Sequence, residues 1–262
     1  MKSFLKVTIA LLFMVISLFI IGCIEQNHNN ILKTTSKNNT QGSVNKNYNS
    51  VPVESKSKKE DSDDVQNHNY VDLGLPSGTL WATCNVGAIT PECYGNYFAW
   101  GETAAKTSYC WSTYKYCNGS QESLTKYCNE SDYGLKGFTD KLKTLQTSDD
   151  AATVNWGEDW RTPTKAEWEE LYENTTNKWT TLNGVSGRLF SAKNGQSLFL
   201  PAAGNRYENN LDQIGPRGLY WSSSYRYDIF AWYFHFDSSN FYMNGSYRYY
   251  GFSIRPVRSS RQ

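Results

Sequence analysis

The chain has 262 residues, with 26 Lys and Arg set against 25 Asp and Glu, and a formal net charge of +1 at pH 7. That length allows one sizeable domain with appendages, and a charge so balanced gives no electrostatic reason for a nucleic-acid partner, whose phosphates call for a strongly basic face. Aromatic residues make up 15% of the chain, including 9 Trp and 19 Tyr, and they concentrate beyond about residue 70.

The first residues, MKSFLKVTIALLFMVISLFIIGC, set Lys2 and Lys6 ahead of a long apolar segment that closes on Ile20-Ile21-Gly22-Cys23. This reads as a secretory signal. It resembles a bacterial lipoprotein signal, in which the small residue before the cysteine permits cleavage and the cysteine becomes the lipidated first residue of the mature chain. On that resemblance residues 1–22 are a signal peptide, Cys23 carries the lipid, and the rest is exported and anchored to the outer membrane or cell surface. An uncleaved membrane helix is the competing reading, since the apolar run is nearly long enough to span a bilayer; either way the remainder lies outside the cytoplasm. Residues 23–69 are rich in Asn, Lys, Ser, Thr and Gln and include the run KSKKEDSDD. Such a stretch cannot bury enough apolar surface to offset its ordering entropy and is expected to be a disordered tether, with His28 and His68 as solvated bystanders.

Beyond Cys23 there remain Cys84, Cys93, Cys110, Cys117 and Cys128. An odd number in an exported chain implies at least one free thiol. Cys117 and Cys128 flank a polar loop and form the preferred pair. Zinc ligation is the competing reading, but no C-x-x-C pair supports it.

The folded domain is placed at residues 70–262. Tyr70 to Leu75 and Thr79 to Cys84 are strand-like runs joined by Pro76-Ser77-Gly78, the pattern of a hairpin. Tyr94 to Glu102 follows, and then a polar, aromatic-dotted excursion from Thr103 to about Asp150, of a length that is commonly functional or pinned by disulfides. The strongest helix signal is Thr162 to Tyr172, where Thr164 and Glu167 have capping-box spacing and Trp168, Leu171 and Tyr172 share a face. Glu167, Glu169 and Glu170 read as a cap and a solvated face rather than as acid–base catalysts. Asp149 and Asp150 read as cap or turn residues, with a structural cation as the competing role. Arg188 to Ser191 and Ser197 to Leu200 flank Asn194-Gly195 as a second hairpin, which Pro201 ends. Strands first, one or two helices in the middle and strands at the end predict an α+β domain with a mostly antiparallel sheet.

The closing run, Gly218 to Arg258, holds more aromatic side chains than one core needs, interspersed with Ser, Gly and Asn; this is the composition of a binding surface. Alternation from Phe230 to Phe236 sends Phe230, Trp232, Phe234 and Phe236 to the core, with Trp221, and turns Tyr233 and His235 outward. Asn244-Gly245 and Gly251 bound a segment that places Tyr247, Tyr249 and Tyr250 on a loop or strand edge.

The strings VDLGLPSGTLWATCNVGA, YFAWGET, YKYCNGS, DDAATVNWGEDWRTPTKAEWEEL, LFLPAAGNR, GLYWSSS and GFSIRPVR, in this order, resemble the Fibrobacter succinogenes major paralogous domain, a family abundant in exported proteins of Bacteroidetes and their relatives. The resemblance covers Tyr70 to about Arg258 and implies a C-type-lectin-like fold in which the terminal strands meet and a long excursion carries much of the surface. The family's activity is generally unassigned. The calcium-binding sugar motifs of true C-type lectins, Glu-Pro-Asn or Gln-Pro-Asp followed by Trp-Asn-Asp, are missing here. The copper-binding cysteine pair of the enzymatic branch would lie in the C-terminal part, yet no cysteine follows Cys128. His235 is the only histidine of the folded region, so a hydrolase triad has no support, and no phosphate-cradling glycine-rich motif is present.

The reading is therefore a non-catalytic module with no cofactor and no metal, which binds glycan through an aromatic surface: Tyr225, Arg226, Tyr227, Asp228, Tyr233, His235, Tyr247, Arg248, Tyr249 and Tyr250. Two alternatives stand beside it. One is a retroelement-diversified receptor for a protein ligand, and the other a structural component of a fimbria or envelope layer.

Overall fold

The computed structural model describes residues 68–260. The expectations for the signal peptide, for lipidation at Cys23 and for the tether up to residue 67 lie outside the described residues.

Strands β1 (Tyr70–Asp72) and β2 (Thr79–Ala82) form an antiparallel hairpin. Its turn is closed by the Gly78 amide donating to the Leu75 carbonyl at 2.9 Å, with Gly78 at φ +71°, a conformation that suits a residue without Cβ. The last strand, β11 (Val257–Ser259), pairs with the other edge of β2, so both ends of the domain meet in one sheet of order β1-β2-β11.

Two α-helices follow the excursion. Helix α1 (Ala151–Trp156) begins at Asp150, whose carboxylate accepts from the amides of Ala152 and Thr153 and from both the amide and the hydroxyl of Thr162. Helix α2 (Lys165–Asn174) starts with the expected capping box: the Glu167 amide donates to the Thr164 hydroxyl at 3.2 Å, and the Thr164 amide donates to the Glu167 carboxylate at 2.8 Å. Each exchange satisfies an orphan amide of the first turn. The cap reading is met at Asp150 and at Glu167.

Beyond α2 the chain is strand-rich: β3 (Thr176–Leu182), β4 (Val185–Ser191) and β5 (Ser197–Pro201) make one sheet, and β6 (Asn205–Tyr207) with β7 (Asn210–Asp212) a short hairpin. Strands β8 (Gly218–Tyr227), β9 (Phe230–Phe236) and β10 (Phe241–Tyr247) make the central antiparallel sheet, of order β10-β9-β8. Among the described residues this amounts to eleven strands in four small sheets beside helices of 6 and 10 residues.

That count overturns the expected α+β, C-type-lectin-like class: the domain is mostly β. The excursion contributes only short 3-10 turns between Trp111 and Asp149, and the segment after α2, polar enough to read as connection, pairs as β3 instead. Its side chains, TNKWTTL, are half-buried or exposed, so no apolar alternation announced it.

Both faces of the central sheet are covered. On one, Trp168 of α2 stacks on Phe234 at 4.9 Å between centroids and tilts against Trp81 at 4.7 Å, within a cluster holding Leu171, Phe190, Tyr220 and Phe236. On the other, Ala231 and Tyr233 join Trp100, Tyr114, Leu124 and Tyr127 in a second cluster, so the excursion serves as a lid of core material. Burying each Leu or Phe of these clusters is worth about 1.5–3 kcal/mol.

Polar contacts pin that excursion. Asp228, in the β8–β9 turn, accepts from the amides of Asn129 at 2.9 Å and Glu130 at 3.0 Å. Arg248 donates to the carbonyls of Lys126 and Tyr127, and Asp149 accepts from the phenols of Tyr116 and Tyr127, each at 2.6 Å. The preferred disulfide does not form: Cys117 and Cys128 are free thiols that donate to the carbonyls of Trp111 and Glu130. His68, expected in solvent, stacks on Trp156 at 3.7 Å, and burial lowers its pKa.

Candidate functional site

The geometry divides the expected site residues into three groups. Tyr225, Asp228 and Arg248 are buried and hold the excursion in place, which corrects the expectation that the turn exposes them. The Tyr225 hydroxyl accepts from the Asp228 amide at 2.6 Å; Arg248 lies over the Tyr225 and Trp100 rings. Burial above all pushes the Tyr225 phenol up to about 12.

Tyr233 and His235 are the second group. Alternation does turn them away from Phe234 and Phe236, but that face is covered as well, and both are buried. Tyr233 packs on Phe252 at 5.0 Å, and His235 stacks under Tyr242 at 4.7 Å. Burial lowers the pKa of His235 despite its contact with Asp237 at 3.4 Å. Trp232, assigned to the core, is half-buried, with Arg226 and Lys165 against its ring.

Arg226, Tyr227, Tyr247, Tyr249 and Tyr250 form the third group, and the structure joins the four tyrosines to rings outside the expected set. Tyr227 meets Phe230 at 4.9 Å, Phe230 meets Tyr247 at 4.5 Å, Tyr247 meets Tyr249 at 5.6 Å, Tyr249 meets Tyr250 at 4.9 Å, and Tyr250 meets Tyr207 at 5.2 Å. The planes of the last four pairs lie within 13–27° of parallel. Near-parallel rings whose centroids stand well beyond face-to-face contact are offset, so each ring overlaps its neighbour like a shingle and leaves part of its face open.

Trp111, from the excursion, closes one side by presenting its edge to Tyr249 at 5.0 Å and to Tyr247 at 6.1 Å. The stripe is therefore built by three separate parts of the chain: the excursion, the β6–β7 hairpin, and the run from β8 to the residues after β10. Tyr249 is at its centre and only 9% exposed; Tyr227, at one end, is 48% exposed. Phe230, Tyr247, Tyr250, Tyr207 and Trp111 are intermediate.

Asn244-Gly245 proves to be interior to β10 rather than a turn, and Gly245 pairs with Trp232. Consequently Tyr247 ends a strand and Tyr249 and Tyr250 follow in a turn closed by the Tyr250 amide on the Tyr247 carbonyl. Sequence reasoning assigned Phe230 to the core and left Tyr207 and Trp111 unassigned. Trp111 carried a signal all the same, as an isolated Trp in a long polar excursion.

Chemically the stripe offers flat apolar area with neutral hydroxyls. Burial raises the Tyr249 pKa, and a hydrogen bond with Glu208 raises that of Tyr207, so these phenols stay protonated at neutral pH. Beside Trp111, the Cys110 thiol is brought down to about 7, first by the Ser112 hydroxyl at 3.0 Å. Among the described residues no group of three or more His, Cys, Asp or Glu is placed to hold a metal ion, and no helix is long and apolar enough to cross a membrane.

No curated protein and no solved structure matches the chain. Residues 171–257, which run from α2 into β11 and include every expected binding tyrosine but not Trp111, are similar to a family described as a domain of unknown function, DUF8237.

Proposed function

We propose that this chain is an exported surface protein, anchored through a lipid on Cys23, whose folded domain is a non-catalytic module that binds glycan through the aromatic stripe without a metal. The resemblance of Tyr70 to Arg258 to the major paralogous domain of exported bacterial proteins belongs to the same reading. The observation that carries it is the shingled run of rings from Tyr227 to Tyr207. Sugar rings present apolar C–H faces that stack on aromatic faces, and their hydroxyls need partners that both donate and accept, which neutral phenols supply. An extended row of such rings suits a chain of sugars better than a single compact molecule, for which a concave pocket is the usual host.

The test is binding of the full chain to a broad glycan array, with and without chelator, beside a Tyr247→Ser/Tyr250→Ser variant. Chelator-resistant binding that the variant loses is the expected result. Binding abolished by chelator contradicts the metal-free site, and absence of glycan binding moves the stripe to a protein ligand or to a subunit contact.

A further inference from the structure

The stripe has two chemically different ends. At the Tyr207 end Glu208, an exposed carboxylate, engages the Tyr207 hydroxyl. At the Tyr227 end the charge is positive. The Arg226 guanidinium lies 5.3 Å from the Tyr227 ring centroid and 4.5 Å from that of Trp232.

Arg226 is locked in this position. Its Nη1 donates to the Asn244 side-chain oxygen at 3.2 Å. The cross-strand neighbour of Trp232 is Gly245, where an added Cβ would sit 2.2 Å from Arg226 Nη1 and 2.4 Å from its Cδ. The missing side chain makes the bed in which the arginine lies. Among the described residues its hydrogen bond goes to a neutral amide, and no carboxylate forms an ion pair with it. The nearby Lys165 differs, being paired with Glu169. A second cation, the exposed Lys143, borders the same end of β8: its Nζ is over the Tyr225 ring at 4.4 Å and donates to the neutral Asn129 side-chain oxygen at 2.8 Å.

A guanidinium seated over a glycine, against an indole and hydrogen-bonded to Asn244 has already lost much of its rotamer freedom. Its planar fork is suited to a carboxylate or sulfate on a ligand. We propose that Arg226 is the anion-recognising end of the stripe and that the ligand is an acidic glycan, carrying uronate or sulfate groups, one of which docks on Arg226 while neighbouring sugars lie along the tyrosines. This deepens the glycan reading and rests on it.

The experiment measures binding of the full chain to matched pairs: polygalacturonate against its methyl ester, and dextran sulfate against dextran. Wild type is expected to prefer the charged member of at least one pair by tenfold or more at low salt, with the preference falling as salt rises; which pair shows it tells carboxylate from sulfate. Arg226→Gln should bring both members of that pair to the same affinity, and Arg226→Lys should keep only part of the preference, because it restores charge without the fork. Tyr247→Ser/Tyr250→Ser should weaken both members alike. Equal binding of charged and neutral members by wild type, or a preference unchanged in Arg226→Gln, overturns the role of Arg226 while leaving the glycan stripe standing. Failure of every member to bind overturns the acidic-glycan assignment, and a blank glycan array overturns the stripe reading with it.

Discussion

Two aromatic clusters lie against the same central sheet, and their fates differ. Around α2, Trp168, Tyr220, Phe234 and Phe236 are sealed, each 0% exposed, and Trp168 donates its indole N–H to the Trp221 carbonyl at 3.2 Å. Along the stripe, Phe230, Tyr247 and Tyr250 stack as closely yet remain half open. Ring-to-ring contact is common to both; cover is not. A capped helix lies on the first cluster, whereas only Trp111 leans on the second, edge-on. The residue types follow this division, with Trp and Phe prevalent where no water reaches and Tyr prevalent where one end of each ring must stay wet.

The comparison predicts unequal costs for removing rings. Trp168→Ala leaves a cavity among Trp81, Tyr220 and Phe234 and should lower stability by about 3–5 kcal/mol, read as a fall in the urea midpoint. A loss near the level of a surface change would mean that α2 is not the seal. Tyr249→Ala, at the centre of the stripe, should cost about 1–3 kcal/mol and should also lose glycan binding, since the rings on either side forfeit their support. Tyr250→Ser should change stability by no more than about 0.5 kcal/mol while weakening binding, and a large loss of stability there would place it in the core with Trp168.

A smaller effect involves pH. Burial lowers the pKa of His235 below its ordinary 6.5. The unfolded chain then takes up the proton more readily than the folded one, so stability is complete above about pH 6.5 and is lost as pH falls toward the folded value. The carboxylates with lowered pKa, Asp149, Asp237, Glu122 and Glu167, act in a separate window below their ordinary 3.8 for Asp and 4.5 for Glu. Unfolding midpoints measured between pH 7 and 5 should therefore decline, and His235→Gln should remove part of that slope. An unaltered slope would show that His235 is not sealed beneath Tyr242.

Local order was far more legible in the sequence than was exposure. The capping box at Thr164 and Glu167 and the hairpin across Asn194-Gly195 depend on residues a few positions apart, and both form. What alternation could not show is whether a strand's second face is covered. Tyr233 and His235 read as outward because polar-tipped residues alternate with Phe, but Tyr233 packs on Phe252 within the cluster that the excursion from Thr103 to Asp150 completes, and His235 lies under Tyr242. The docking of that excursion depends on Asp228 and Arg248 meeting backbone groups some 98 to 122 positions away. The same long-range contacts turned two expected ligand residues into fasteners. The mostly β class was hidden for a similar reason, because β3 is polar and owes its strand state to pairing with β4. Of the stripe, the tyrosines after β10 were visible as a cluster. Tyr207 and Trp111 reach it only through the folding of distant segments.

The most direct test of the stripe as the binding surface is a calorimetric titration with the tightest-binding glycan from the array. Wild type would be set beside the Tyr247→Ser/Tyr250→Ser variant, with melting recorded for both. The expected result is at least a tenfold loss of affinity in a variant that melts within a few degrees of wild type. Undiminished binding by that variant would contradict the stripe as the ligand surface.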